Sequence, residues 1–203
     1  VLITFEGIDG CGKSTQINKL SAWLKRQGIA HHLFREPGGT DLSESVRELL
    51  LHSAGRMDPV TEMLLFSAAR SQLVAEKVIP LLERGDLVIL DRFFDSTTAY
   101  QGYGRGSASP EDIRQLNRLA AHDIQPDCTF YIRVPVELAR KRRAGQKEDR
   151  MEQETDRFFQ RVADGFELLV ANDDRFVALD GTRSPEAIHE EVVARVKILA
   201  GHV

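Results

Sequence analysis

The segment Gly7-Ile8-Asp9-Gly10-Cys11-Gly12-Lys13-Ser14 constrains this chain more than any other stretch of it. It has the spacing G-x-x-x-x-G-K-S/T and stands between a short apolar run, Leu2 to Glu6, and a helical stripe of Ile17, Leu20 and Leu24 that ends at Gly28. A phosphate-binding loop needs both neighbours. The strand delivers the loop to the edge of a sheet, and the helix aims the positive end of its dipole at the anion. Glycines let successive backbone N–H groups turn inward, so the loop wraps a phosphate. An anion cradle is therefore expected from Gly7, Ile8, Asp9, Gly10, Cys11, Gly12, Lys13, Ser14 and Thr15.

The rest of the chain has to supply the layers such a loop requires. Short apolar runs at Leu2 to Glu6, His31 to Arg35, Leu87 to Leu90, Cys128 to Val134 and Phe176 to Leu179 alternate with longer segments of helical period. This predicts an α/β fold of the P-loop NTPase class, a five-stranded parallel sheet with helices on both faces. Asp58-Pro59, Ser109-Pro110 and Ser184-Pro185 each place a capping side chain before a proline and so mark three helix starts. At 203 residues and 42% hydrophobic content, one domain spanning 1–203 is expected, with a charged lid at about 139–154. Gln101 to Ser109 and Ala139 to Glu154 lack an apolar period and read as mobile surface.

A formal charge of −4 argues against nucleic acid as a partner, since a polyanion needs a basic surface. Cys11 and Cys128 read as free thiols in a reducing compartment. No run approaches the ~18 apolar residues of a membrane span. The expectation is a cytoplasmic protein without membrane attachment.

Lys13 is expected to neutralise the β- and γ-phosphates of a bound triphosphate, Ser14 to hold Mg²⁺ between them, and Thr15 to reach the α-phosphate. No Asn-Lys-x-Asp tetrad is present, which points away from guanine. The strand Leu87 to Leu90 ends in Asp91-Arg92 at the carboxyl edge of the sheet, where open α/β sheets bind ligands. Asp91 can hold Mg²⁺ directly or through water, and Arg92 can grip a second phosphate. Arg140, Lys141, Arg142 and Arg143, followed by Arg150, offer positive charge for phosphoryl transfer. The histidines show no metal-ligand spacing. Asp180-Gly181-Thr182 is the candidate for adenine contact.

Phe5 to Thr15, Arg35-Glu36-Pro37-Gly38-Gly39-Thr40 and Asp91-Arg92-Phe93, with Phe66-Ser67-Ala68-Ala69-Arg70, Ser96 to Gly102, Gly104-Arg105-Gly106 and Asp149-Arg150-Met151-Glu152, together resemble the thymidylate kinases of the bacterial kind. The resemblance implies a homodimer and transfer of the ATP γ-phosphoryl to dTMP. It also implies roles: Phe66 stacks on thymine, Arg70 bonds a base carbonyl, and Thr97 or Gln101 meets the pyrimidine edge, beside Ser96. Arg92 holds the acceptor phosphate, Tyr100 crowds out a 2′-hydroxyl, and Asp9 lies between Mg²⁺ and acceptor under a turn of Arg35, Glu36, Pro37, Gly38 and Gly39.

Some members of this family carry an arginine within the loop, and others carry the charge on the lid. With Cys11 in the loop, the resemblance assigns the charge to Arg142, Arg143 or Arg150, with Arg143 preferred. The spacing Arg143-Ala144-Gly145-Gln146-Lys147-Glu148-Asp149-Arg150 is one residue longer than the family pattern, which leaves the lid register open. Another nucleoside monophosphate kinase, or a nucleotide-gated binding protein with slow hydrolysis, are the rival readings.

Overall fold

The computed structural model describes residues 1–53, 55–145 and 149–201. The elements run β1 (Leu2–Glu6), α1 (Lys13–Arg26), β2 (His31–Arg35), α2 (Asp41–His52), α3 (Pro59–Leu73), α4 (Ile79–Glu83), β3 (Leu87–Asp91), α5 (Phe94–Thr97), α6 (Pro110–Ala120), β4 (Cys128–Arg133), α7 (Val136–Arg143), α8 (Asp156–Asn172), β5 (Phe176–Asp180) and α9 (Pro185–Ala200). The expected strands are all present to within a residue.

The five strands form one sheet in the order β2-β3-β1-β4-β5, every pair parallel. β1 is central, so the loop that leaves it emerges at mid-sheet, beside the end of β3. The register sets Phe5 against Asp91 and Arg35 against Asp91, which gathers the ends of three strands at one edge.

Side chains alternate between two apolar layers, as the pleat requires. Leu2, Val88 and Leu90 pack with Leu73, Val74, Val78 and Leu81. Ile3, Phe5, Ile89 and Phe130 pack with Leu20 and Leu24 of α1 and Val192 and Val196 of α9. Each buried Leu, Ile or Phe contributes about 1.5–3 kcal/mol of apolar burial.

The three cap-proline pairs act as expected: Asp58, Ser109 and Ser184 each accept a first-turn amide hydrogen bond, with proline at the helix start. Thr40 and Thr155 cap α2 and α8 in the same way without a proline to advertise them. Gly28 takes φ +73° just past α1, a left-handed backbone that glycine adopts without strain.

Gln101 to Gly104 depart from the expected surface loop, while Arg105 to Ser109 are intermediate or exposed. Thr98–Gly104 is a π-helical turn, with Tyr100, Gln101 and Gly104 buried. Its glycine is structural: a Cβ on Gly104 would lie 2.7 Å from the Phe158 ring, and one on Gly165 would lie 2.6 Å from Tyr103. Two glycines thus let this turn press against α8. The sequence hid this because an i to i+5 turn has no apolar period of 3.6. In the charged stretch Ala139 and Arg143 of α7 are buried, while Arg140, Lys141 and Arg142 are exposed. Residues 146–148, on which the lid register depends, lie outside the described residues.

Candidate active site

The loop between β1 and α1 has the backbone that its glycines foretell, with φ +136° at Gly7, +85° at Gly10 and +108° at Gly12. Gly10 is also required by close approach, because a Cβ there would meet the Ala139 carbonyl at 2.4 Å. α1 starts at Gly12 with no side-chain cap and no acid in its first turn. Its first amides therefore remain available to an external anion. Lys13 folds back across the loop, donating to the carbonyls of Gly7 (2.9 Å) and Ile8 (3.4 Å). Cys11 is buried and small, its sulfur 3.8 Å from Lys13 Nζ.

A cavity of about 460 Å³ opens over this loop, lined by Ser14, Thr15 and Asp91 together with the cations Lys13, Arg35, Arg47, Arg92, Arg142 and Arg143. A highly charged phosphate chain is the ligand such a lining suits. Ser14 and Asp91 sit on it as hydroxyl and carboxylate, the hard oxygen ligands of Mg²⁺, and no cluster of three metal-binding side chains occurs among the described residues. Mg²⁺ takes such oxygen ligands and commonly keeps phosphate and water as the rest of its shell. Gly181 lies beside the loop in a neighbouring cavity with Cys11, Thr15 and Arg142. Arg142 ties the two together, donating to the carbonyls of Cys11 (3.3 Å) and Gly181 (2.9 Å).

A second, smaller cavity of about 110 Å³ adjoins the first and shares Asp9, Glu36, Arg47 and Arg92 with it. Phe66, Arg70, Ser96, Thr97, Tyr100 and Gln101 complete its wall with Pro37. At the junction Arg92 donates to Asp9 Oδ1 (2.6 Å), to Tyr100 (3.2 Å) and to Ser96 Oγ (3.0 Å). The Tyr100 hydroxyl donates to Asp9 Oδ2 (3.0 Å). Arg92 holds φ +71°, a strained value for a non-glycine residue that re-aims its side chain across the end of the sheet. Burial alone would raise the Asp9 carboxyl, but the charges of Arg92 and Lys13 and its hydrogen bonds hold it well below the usual carboxylate range.

Arg70, 2% exposed, donates to Glu36 Oε2 (2.8 Å), Thr97 Oγ1 (3.0 Å) and Asn117 Oδ1 (3.4 Å). The Glu36 carboxyl is pushed up to about 7 by burial, against the opposing pull of Arg70. Phe66 belongs to this wall and also packs against the core, so the core stripe and the cavity wall are one surface.

Of the residues expected in the cradle and around a second ligand, most line the two cavities; Gly7, Ile8, Cys11 and Gly38 do not, and Arg150 is withdrawn from both. Arg150 points away from the loop: it donates to the Leu50 carbonyl (2.7 Å) and pairs with Glu62 (2.7 Å). Arg105 binds Glu62 and Glu154 and covers the Phe158 ring. Arg142 and Arg143 do line that cavity, Arg143 with its guanidinium 5.2 Å from the Phe159 ring centre. Sequence reasoning missed Arg47, which lines both cavities and donates to the Pro37 carbonyl (3.0 Å). A single arginine on an amphipathic helix gives no signal of its own.

The family model described as thymidylate kinase matches residues 5–192. The thymidylate kinase of Chlorobium chlorochromatii is 46% identical, over 97% of this chain and 94% of that protein. That of Kosmotoga olearia is 46% identical, over 95% and 93%. The crystal structure of thymidylate kinase from Ehrlichia chaffeensis superposes with a TM-score of 0.79 at 37% identity, covering 97% of this chain and 98% of that one. No described helix is long and apolar enough to cross a membrane. The chain belongs to the thymidylate kinase family.

Proposed function

We propose that this protein transfers the γ-phosphoryl of ATP to dTMP, giving dTDP for dTTP synthesis. The observation that carries the reading is the pair of adjoining cavities, one a phosphate cradle and the other closed by an aromatic and a buried arginine, sharing Asp9 and Arg92. Phosphoryl transfer asks a protein to hold two phosphates in line and counter the charge between them. Shared walls do this without any covalent step.

In this reading the loop amides and Lys13 hold the triphosphate, and Arg142 and Arg143 approach it from α7. Ser14 and Asp91 would hold Mg²⁺, which would supply further charge neutralisation. Arg92 and Arg47 take the acceptor phosphate at the junction. Asp9 orients Arg92, to which it is hydrogen-bonded at 2.6 Å, and its own negative charge keeps that guanidinium from drifting toward the triphosphate. Phe66 offers thymine a stacking face, worth roughly 1–3 kcal/mol with little base preference. Selectivity therefore falls to Arg70, Thr97 and Gln101, and Tyr100 occupies the space a 2′-hydroxyl would need.

The homodimer belongs to the same proposal. Leu42 and Leu49 on α2 and Val60 and Leu64 on α3 are about half exposed, and a second copy would cover them.

Initial rates of ADP release from Mg·ATP with dTMP, dUMP, dCMP or no acceptor test the reading. The expected result is turnover that depends on acceptor and is greatest with dTMP. Arg70→Ala is expected to raise the KM for dTMP at least tenfold with a smaller change for ATP. Equal turnover without acceptor would favour a nucleotide-gated hydrolase.

A further inference from the structure

Glu62 stands in the first turn of α3, where an acid ordinarily faces solvent and complements the helix dipole. Here it is fully buried. Its carboxylate accepts hydrogen bonds from Gln101 Nε2 (3.0 Å) and from Arg105 Nε (3.1 Å) and Nη2 (3.2 Å), and it pairs with Arg150 Nη2 at 2.7 Å. Burial by itself would raise the carboxyl, but these bonds and the Arg105 charge leave it below its ordinary value.

A carboxylate in that state only accepts. Gln101 must therefore turn its NH₂ toward Glu62, and the carbonyl oxygen of its amide is what remains to offer the inner cavity, whose wall it shares with Arg70 and Thr97. Arg70 is a donor only. The wall thus combines a donor and an acceptor whose order is set by a residue that does not line the cavity.

We infer that Glu62, held as an anion by Arg105 and Arg150, is a specificity-determining positioning residue that fixes the Gln101 amide for pyrimidines carrying a 4-oxo group and N3–H. The inference rests on the reading of the inner cavity as the dTMP site. Thymine and uracil present O4 as an acceptor and N3–H as a donor, matching Arg70 and Gln101. Cytosine presents an amino group and a bare N3, so donor meets donor and acceptor meets acceptor. Mispaired polar groups in a closed site are rejected strongly. Glutamine at position 62 would let both amides flip and so admit the reversed pattern.

The arrangement also gives Arg150 a role. It joins the segment after α7 to Glu62 and to the Leu50 carbonyl at the end of α2, so base selection is tied to the seating of that segment.

The test is kcat/KM for dTMP, dUMP and dCMP at saturating Mg·ATP in the wild-type protein, Glu62→Gln, Glu62→Asp and Arg150→Met. Glu62→Gln is expected to lower the dTMP:dCMP ratio about tenfold or more, leaving the dTMP:dUMP ratio and the KM for ATP unchanged. Glu62→Asp keeps the charge and is expected to retain the ratio. Should Glu62→Gln fail to fold, Arg150→Met decides: Arg105 still holds Glu62, and a smaller fall in the same ratio is expected. A folded variant that loses activity on dTMP and dCMP in equal proportion overturns the inference and leaves Glu62 a structural residue. Wild-type protein that turns over dCMP as readily as dTMP overturns it too. Wild-type protein with no acceptor-dependent turnover defeats the dTMP reading itself, a result distinct from either.

Discussion

Glu6, buried in β1, accepts from the Phe93 amide (2.7 Å) and the Ser96 hydroxyl (2.6 Å), and Ser96 in turn accepts from Arg92. It underpins the strained residue that joins the two cavities. Burial and then the nearby Asp95 raise its carboxyl from 4.5 to about 8, against Arg92 and the two hydrogen bonds. Between those values the folded chain keeps a proton that the unfolded chain releases, so this contribution to stability is complete below about 4.5 and is lost as pH rises through about 8. Glu36, raised to about 7, acts with the same sign. Asp9 is depressed, and its contribution is lost only in acid. We therefore predict a thermal midpoint that falls between about pH 5 and about pH 8.5, with a shallower fall in Glu6→Gln. An identical slope in the variant would contradict a buried, protonated Glu6. None of this was legible in the sequence, because Glu6 is one letter in an apolar run and its partners lie more than eighty residues away.

Among the elements, α7 and the segment that follows it separate what spacing can reveal from what it cannot. The P-loop was legible because all its parts are contiguous: strand, glycines, lysine and helix follow one another. The arginines after β4 were legible as a charge reserve but not as individuals. A run of cations does not say which faces the loop, and the partner that withdraws Arg150, Glu62, is on a distant helix where it resembles an ordinary first-turn acid. The structure puts Arg142 and Arg143 on the phosphate cavity. Arg143→Ala is expected to lower kcat by roughly 10²–10³ with little change in KM for dTMP. Arg150→Ala is expected to act mainly on acceptor selection. Steady-state kinetics with each substrate varied would separate them, and a dominant kcat effect at Arg150 would mean that this segment moves to the loop during turnover.

Across the whole chain, the five-stranded parallel α/β class and the family were legible because both depend on features repeated along nearly its full length; the strand order was not. The α2–α3 surface was not, since a half-exposed leucine on an amphipathic helix looks like any other surface leucine. If that surface pairs two copies, Leu49→Glu with Leu64→Glu is expected to sediment as a monomer where the unaltered chain sediments as a dimer. A dimer that survives both changes would move the interface elsewhere.

In the proposed reaction a phosphoryl group passes between two cavities that meet at Asp9 and Arg92. Phosphorus NMR of the products formed from Mg·ATP and dTMP checks this transfer. ADP and the β-phosphorus signal of dTDP are expected to appear in equal amounts, with no inorganic phosphate. ADP accompanied by inorganic phosphate, at a rate indifferent to dTMP, would contradict it.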